Sequence, residues 1–331
     1  TSSASSALSI TVDTTAPAQP SITTTTSLTN DSTPAIEGVA EAGSTVTLFV
    51  DGETTGVTAT ADGTTGAYTI APTEALSDGA YALTVTATDA AGNISDASDA
   101  LSITIDATAP GKPSIITTTS LTNDATPTIE GIAEAGSTVE LFNGDVSLGT
   151  TTADETTGAY TITPAELSDG DYSLTVTATD AAGNISDASD ALSITIDATA
   201  PGKPSIITTT SLTNDATPTI EGIAEAGSTV ELFNGDVSLG TTTADGTTGA
   251  YTITPAELSD GAYSLTVTAT DAAGNISAAS DALSITIDAT LEKPIINTTA
   301  DQLSSDDATP TIAGTAEAGS TVNLYNDTQS A

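Results

Sequence analysis

Tyr172-Ser-Leu-Thr-Val-Thr-Ala-Thr179 decides how this chain is read. Tyr172, Leu174, Val176 and Ala178 fall on one face of an extended segment, and Ser173, Thr175, Thr177 and Thr179 on the other. Side chains along a strand alternate between faces, so this period of two predicts a strand with one side in a core and one in water. Threonine suits the wet side, because a β-branched side chain fits a pleated surface.

Outward from that strand, the same alternation recurs between turn signals. Lys112-Pro-Ser-Ile-Ile116 predicts a short first strand, and Thr126 to Glu134 a second with Ile129, Gly131 and Ala133 on one face. Thr138 to Phe142 and Val146 to Thr151 flank Asn143-Gly144, a strong hairpin signal. Ala159 to Thr163 comes next, and Leu192, Ile194 and Ile196 close the set. Seven short alternating strands with no helical period predict an all-β, antiparallel, immunoglobulin-like sandwich. Threonine-rich chains can also be O-glycosylated stalks, but stalks lack such alternating apolar faces.

The strand set repeats. Residues 107–197 and 198–288 are two copies of one 91-residue unit, differing only at Glu155/Gly246, Asp171/Ala262 and Asp187/Ala278. Residues 14–106 are a more diverged copy, 1–13 match the closing strand of a unit, and 289–331 match the first half of one. The expected architecture is an elongated tandem array of sandwiches, and its function must be one that repetition serves. The linkers, such as Asp197-Ala-Thr-Ala-Pro-Gly-Lys-Pro204, are short and carry two prolines, which predicts stiff joints.

Composition narrows the chemistry. The chain has no cysteine, so disulfides, thiol catalysis and cysteine-bound metals are out, and no histidine, the commonest general base. The three lysines, Lys112, Lys203 and Lys293, each sit in a joint. Serine is plentiful, but a Ser-His-Asp site cannot be built, and acid pairs are too common here to mark a catalytic site. The reading is of a non-enzyme. With 44 acids against 3 basic residues the formal net charge is −41, which repels phosphate backbones and anionic lipid, so neither nucleic acid nor membrane insertion is expected. Hard cations are the natural counter-charge, and calcium takes the oxygen ligands that this chain offers.

In a sandwich of this topology, three acidic elements should converge where each domain meets the one before: the entering linker, the loop after the second strand, and the loop before the last. They bring Asp13, Glu41 and Asp89 to the first repeat, Asp106, Glu134 and Asp180 to the second, and Asp197, Glu225 and Asp271 to the third. Asp288 and Glu317 begin a fourth set. Three carboxylates with loop carbonyls, Asn184 and water could supply the six to eight oxygens that calcium needs. Asp180-Ala-Ala-Gly-Asn184 is equally what a tight turn looks like, with the aspartate capping its own loop. A second acidic group, Asn123-Asp124, Ser168-Asp169-Gly170 and Asp197, lies at the far end of the domain and reads as solvated loop charge or an ion site. Phe142, Tyr160 and Tyr172 sit on strand positions and read as core rather than as a carbohydrate platform, and Asn184-Ile-Ser186 spells a glycosylation sequon.

Thr126-Pro-Thr-Ile-Glu-Gly-Ile-Ala-Glu-Ala-Gly-Ser-Thr-Val139, then Leu174-Thr-Val-Thr-Ala-Thr-Asp-Ala-Ala-Gly-Asn184, then Ile196-Asp-Ala-Thr-Ala-Pro201, resembles the bacterial Ig-like repeats of giant biofilm-associated and type I-secreted surface adhesins. The resemblance spans the chain and is specific to the repeat class. It implies an extracellular, cell-surface fibre whose repeats hold a terminal adhesive domain away from the cell, with calcium stiffening the joints through the acids named above. The partners it implies are the neighbouring repeats, and a host or cell-surface ligand bound by domains outside this chain. One joint departs from the pattern: in Asp288-Ala-Thr-Leu-Glu-Lys-Pro294, Leu291 and Glu292 replace Ala-Pro. Two functions remain open, an extender and a multivalent module binding surface glycan or identical repeats on other cells, where many weak sites add avidity.

Overall fold

The computed structural model describes residues 6, 8–299 and 308–325. Its contacts divide the chain into two compact units, residues 1–120 with 125–195, and residues 121–124 with 196–331.

In the first unit, residues 14–106 form eight strands: β1 (Ser21–Ile22), β2 (Leu28–Thr29), β3 (Ile36–Val39), β4 (Thr45–Val50), β5 (Glu53–Thr60), β6 (Ala67–Ile70), β7 (Gly79–Thr88) and β8 (Leu101–Ile105). One sheet runs β1-β3-β6 and the other β2-β8-β7-β4-β5. This is an all-β sandwich, as the alternation predicts. The eighth strand is an addition to the seven expected. Strand β2 is two residues long and pairs parallel with β8, Leu28 opposite Thr104 and Thr29 opposite Ile105. A two-residue edge has no room to show a period, so the pattern could not have revealed it.

The second repeat continues in order with β9 (Ser114–Ile115), β10 (Leu121–Thr122), β11 (Ile129–Ile132), β12 (Thr138–Asn143), β13 (Val146–Thr152), β14 (Ala159–Ile162), β15 (Gly170–Thr179) and β16 (Leu192–Ile196). Its β9-β11-β14 sheet and its β12–β13 and β12–β15 pairings repeat the arrangement of the first. In the second unit, residues 198–288 rebuild both sheets, the five-stranded one again with a parallel two-residue strand, Leu212–Thr213, beside Leu283–Ile287. Past them, Ile295–Ile296 pairs with Gly314–Thr315.

The hairpin is displaced by one residue from its expected place. Asn143 pairs with Val146, so the two-residue turn is Gly144-Asp145, and Asn143 ends β12. Its side-chain carbonyl accepts the amide of Ser173 at 3.2 Å. Gly144 takes a positive φ of 59°, which the turn requires of its first residue and glycine adopts without strain.

The predicted faces are the buried ones. Leu174, Val176 and Ala178 are fully buried, as are Val139 and Leu141 beside them on β12 and Ile129 in the other sheet. Burying a large aliphatic side chain contributes about 1.5–3 kcal/mol, so each repeat draws its stability from its own small core. Tyr160 lies across β11, and its hydroxyl donates to the Ser114 carbonyl at 2.9 Å. Gly131 makes room for it: a Cβ there would stand 2.2 Å from the Tyr160 oxygen and 2.0 Å from the Ser114 oxygen. Burial pushes the Tyr160 hydroxyl up to about 12, which keeps it a donor at ordinary pH. Tyr172 donates to the Ser168 carbonyl at 2.9 Å and pins the corner that opens β15.

Above Ala178 the last strand has not yet begun, and two serines replace it. Ser186 and Ser189 are buried, and their hydroxyls accept the amides of Ala178 and Val176 at 2.9 and 3.0 Å. Each also donates to the next carbonyl, that of Asp187 or Asp190, at 2.9 Å. The edge of β15 thus keeps its hydrogen bonds without a paired strand beside it.

Candidate functional site

The candidate site is the joint between one repeat and the next, built in the first unit from residues 78, 106–108 and 180–184. The loop after β15 folds on Asp180. Its Oδ1 accepts the amides of Gly183 and Asn184 at 2.8 and 2.9 Å, and its Oδ2 accepts the Asn184 side-chain amide at 2.8 Å. Slight burial works to raise the Asp180 pKa, but the bonds from Asn184, Gly183 and Ala182 prevail and lower it. Asp271 does the same with Gly274 and Asn275 in the third repeat. Asp89 does so with Ala91 and Asn93 in the first, where the Asn93 side chain is the main cause of its lowered pKa. The tight-turn chemistry of this loop is therefore present in all three repeats.

The linker does meet that loop, through its backbone. The Asn184 side-chain amide donates to the Asp106 carbonyl at 2.7 Å, Asn275 to the Asp197 carbonyl at 2.7 Å, and Asn93 to the Asp13 carbonyl at 3.2 Å. The linker carboxylates stay local: those of Asp13, Asp106 and Asp197 accept the amides of Thr15, Thr108 and Thr199 at 3.0, 3.3 and 3.4 Å. Asn93, Asn184 and Asn275 thus each have their side-chain amide nitrogen engaged twice in the joint.

The glutamates do not join them as expected. Glu41, Glu134 and Glu225 act through their carbonyls, which accept the amides of Ser44, Ser137 and Ser228 within their own turn. Asp288 donates its own amide to the Thr213 carbonyl. In the last joint the Glu317 carboxylate accepts the amide of Glu292 at 3.0 Å. Among the described residues no three acidic side chains are grouped closely enough to hold a metal ion. Among the described residues, then, Asp106, Glu134 and Asp180 and their equivalents are not drawn into one carboxylate cluster.

A residue outside the expected set does the holding from the other side. Asp78, in the loop before β7, accepts the Ala107 amide at 2.8 Å, and the Thr108 hydroxyl makes a very short bond to its Oδ2. The Thr108 hydroxyl, then the Ala107 amide, hold its pKa below the usual carboxylate range. Asp260 repeats the grip on Ala289 and Thr290. The sequence signal was the Ser-Asp-Gly of that loop, read as solvated charge or an ion site. The lysines are not part of the grip: Lys112 and Lys203 pair with Asp190 and Asp281 in their own repeats at 2.7 and 2.8 Å, exposed to water that screens the attraction.

The sequence profile described as "Bacterial Ig-like domain" matches residues 7–107, 114–198 and 205–289. Among characterised proteins, the chain is 37% identical over 247 residues to Exoglucanase B of Cellulomonas fimi, which covers 69% of this chain and 22% of that protein. The chain thus spans about a fifth of that relative's length. Among solved structures, the Clostridium thermocellum CbhA fibronectin(III)-like modules align with 52% of this chain and 92% of theirs, at 17% identity and a TM-score of 0.37. A tetra-tandem repeat in the extending region of a large adhesion protein aligns with 91% of this chain and 88% of its own, at 22% identity and a TM-score of 0.27.

Proposed function

The chain belongs to the bacterial Ig-like domain family, and from that premise we propose that it is a spacer: a run of tandem sandwiches in an extracellular adhesin that holds an adhesive domain away from the bacterial surface for cell adhesion and biofilm formation. The observation that carries this is the reuse of one joint. The same loop asparagine reaches the same linker carbonyl from repeat after repeat, while the repeats themselves differ at only three positions in their two closest copies. A spacer needs length and a reproducible joint, and has no use for a diversified surface.

Calcium enters the proposal as counter-charge. At −41, repulsion along the chain favours any ion that binds the folded, docked state, which it stabilises by mass action. Export by a type I route and tethering in a giant adhesin of the repeat-toxin-like kind are parts of the same proposal, resting on the repeat resemblance.

A second reading is supported by the likeness to Exoglucanase B: the same kind of repeat serving as a spacer inside a secreted polysaccharide-degrading enzyme. Small-angle scattering and sedimentation of this chain, with calcium and with chelator, test the spacer idea. An elongated monomer at every concentration is expected. Self-association, or retention on immobilised glycan or cellulose, would replace the spacer with a binding module.

A further inference from the structure

A single peptide group is held from both sides of a joint. The carbonyl of the Asp106–Ala107 peptide accepts from Asn184, in the repeat that follows, at 2.7 Å. The N–H of that same peptide donates to Asp78, in the repeat that precedes, at 2.8 Å. Asn184 cannot turn away, because its amide nitrogen and its backbone both bond Asp180. Thr108 adds a second contact to Asp78.

We propose that this doubly gripped peptide is the joint lock: it fixes the angle between consecutive repeats by directional hydrogen bonds and needs no bound ion. The peptide is planar and resists twisting, so opposed bonds to its two ends restrain shift and rotation together. Pro110 and Pro113, both buried, remove further freedom just downstream by fixing φ. The parts recur, with Asn93 on the Asp13 carbonyl, Asn275 on the Asp197 carbonyl and Asp260 on the Ala289 amide. The grip on Ala289 persists although Leu291 and Glu292 replace the usual Ala-Pro, so it does not depend on that proline. The inference deepens the spacer reading, since an ion-free lock would hold the array's geometry in low-calcium water as well.

The chain has no cysteine, so Glu53→Cys with Asp145→Cys, both exposed, gives one spin-label pair across the first joint. Pulsed electron paramagnetic resonance in chelator should give one narrow distance peak. That peak should be lost in Asn184→Ala and, separately, in Asp78→Ala, with circular dichroism reporting that both remain folded. The two residues sit in different repeats, so local unfolding would not remove both. A broad wild-type distribution that narrows only when calcium is added would overturn the lock, as would variants as narrow as wild type. Self-association at an unchanged peak would count against the spacer reading alone.

Discussion

The Asn184 side-chain amide donates to the Asp106 carbonyl at 2.7 Å, spanning 78 residues to tie one repeat to the linker that precedes it. That bond depends on Asp180 remaining a carboxylate, because Asp180 orients the amide.

Acid should therefore loosen the joint. Asp78 and Asp180 have folded pKa values below the usual carboxylate range, so the stability they contribute is fully present above the unfolded value and is lost as pH falls through the folded one. The protection of the Ala107 and Asn184 amides, that is their exchange relative to the intrinsic rate at each pH, should hold from pH 7 to about pH 4 and fall below it. Equal protection at pH 7 and pH 3 would contradict this.

Gly131→Ala should destabilise the second repeat by about 1–3 kcal/mol, since the new methyl collides with the Tyr160 hydroxyl and a backbone carbonyl. Gly38→Ala and Gly222→Ala meet the same neighbours in the other repeats and should match it in urea unfolding. Tyr160→Phe, which loses only the bond to Ser114, should cost about 1 kcal/mol.

Ser186→Ala leaves the amide of Ala178 without its partner in a buried setting, for a loss of about 1–3 kcal/mol. Ser189→Ala does the same to Val176. Ser186→Thr keeps the hydroxyl, so a loss as large as that of the alanine variant would show that packing, not the hydrogen bond, was responsible.

Asp171→Ala copies the natural difference between the second and third repeats. Asp171 accepts a 2.6 Å bond from Thr195 on an exposed face, and its removal should change thermal stability by no more than about 0.5 kcal/mol. A shift well beyond that would give this position a structural role that its exposure does not explain.

The sandwich was legible because Tyr172 to Thr179 and its sister segments alternate cleanly, and burial follows that alternation residue by residue. The hairpin slipped by one residue because Asn143-Gly144 and Gly144-Asp145 are both good turn pairs, and cross-strand pairing decides between them. Convergence of the linker with the loop after β15 was legible from topology. The atoms were not: loop spacing places a residue, but a loop carboxylate takes the nearest amide, as Asp180 does in its own turn, leaving a carbonyl to make the long contact. Asp78 was missed because an acid in a Ser-Asp-Gly turn looks the same whether it faces water or a linker amide.

The parallel pairing of Leu28–Thr29 with β8 acquires a meaning once the chain is under tension. Pulling on the two ends of the first repeat drags an early strand and its last strand in opposite directions along their common axis. The bonds between them, from Thr104 to the Ser27 carbonyl at 2.8 Å and from Asp106 to the Thr29 carbonyl at 3.0 Å, lie across that pull and must yield together. An antiparallel hairpin peeled from its end would give up its bonds one after another. A strand of only two residues thus sits where a tether in flow would load it in shear.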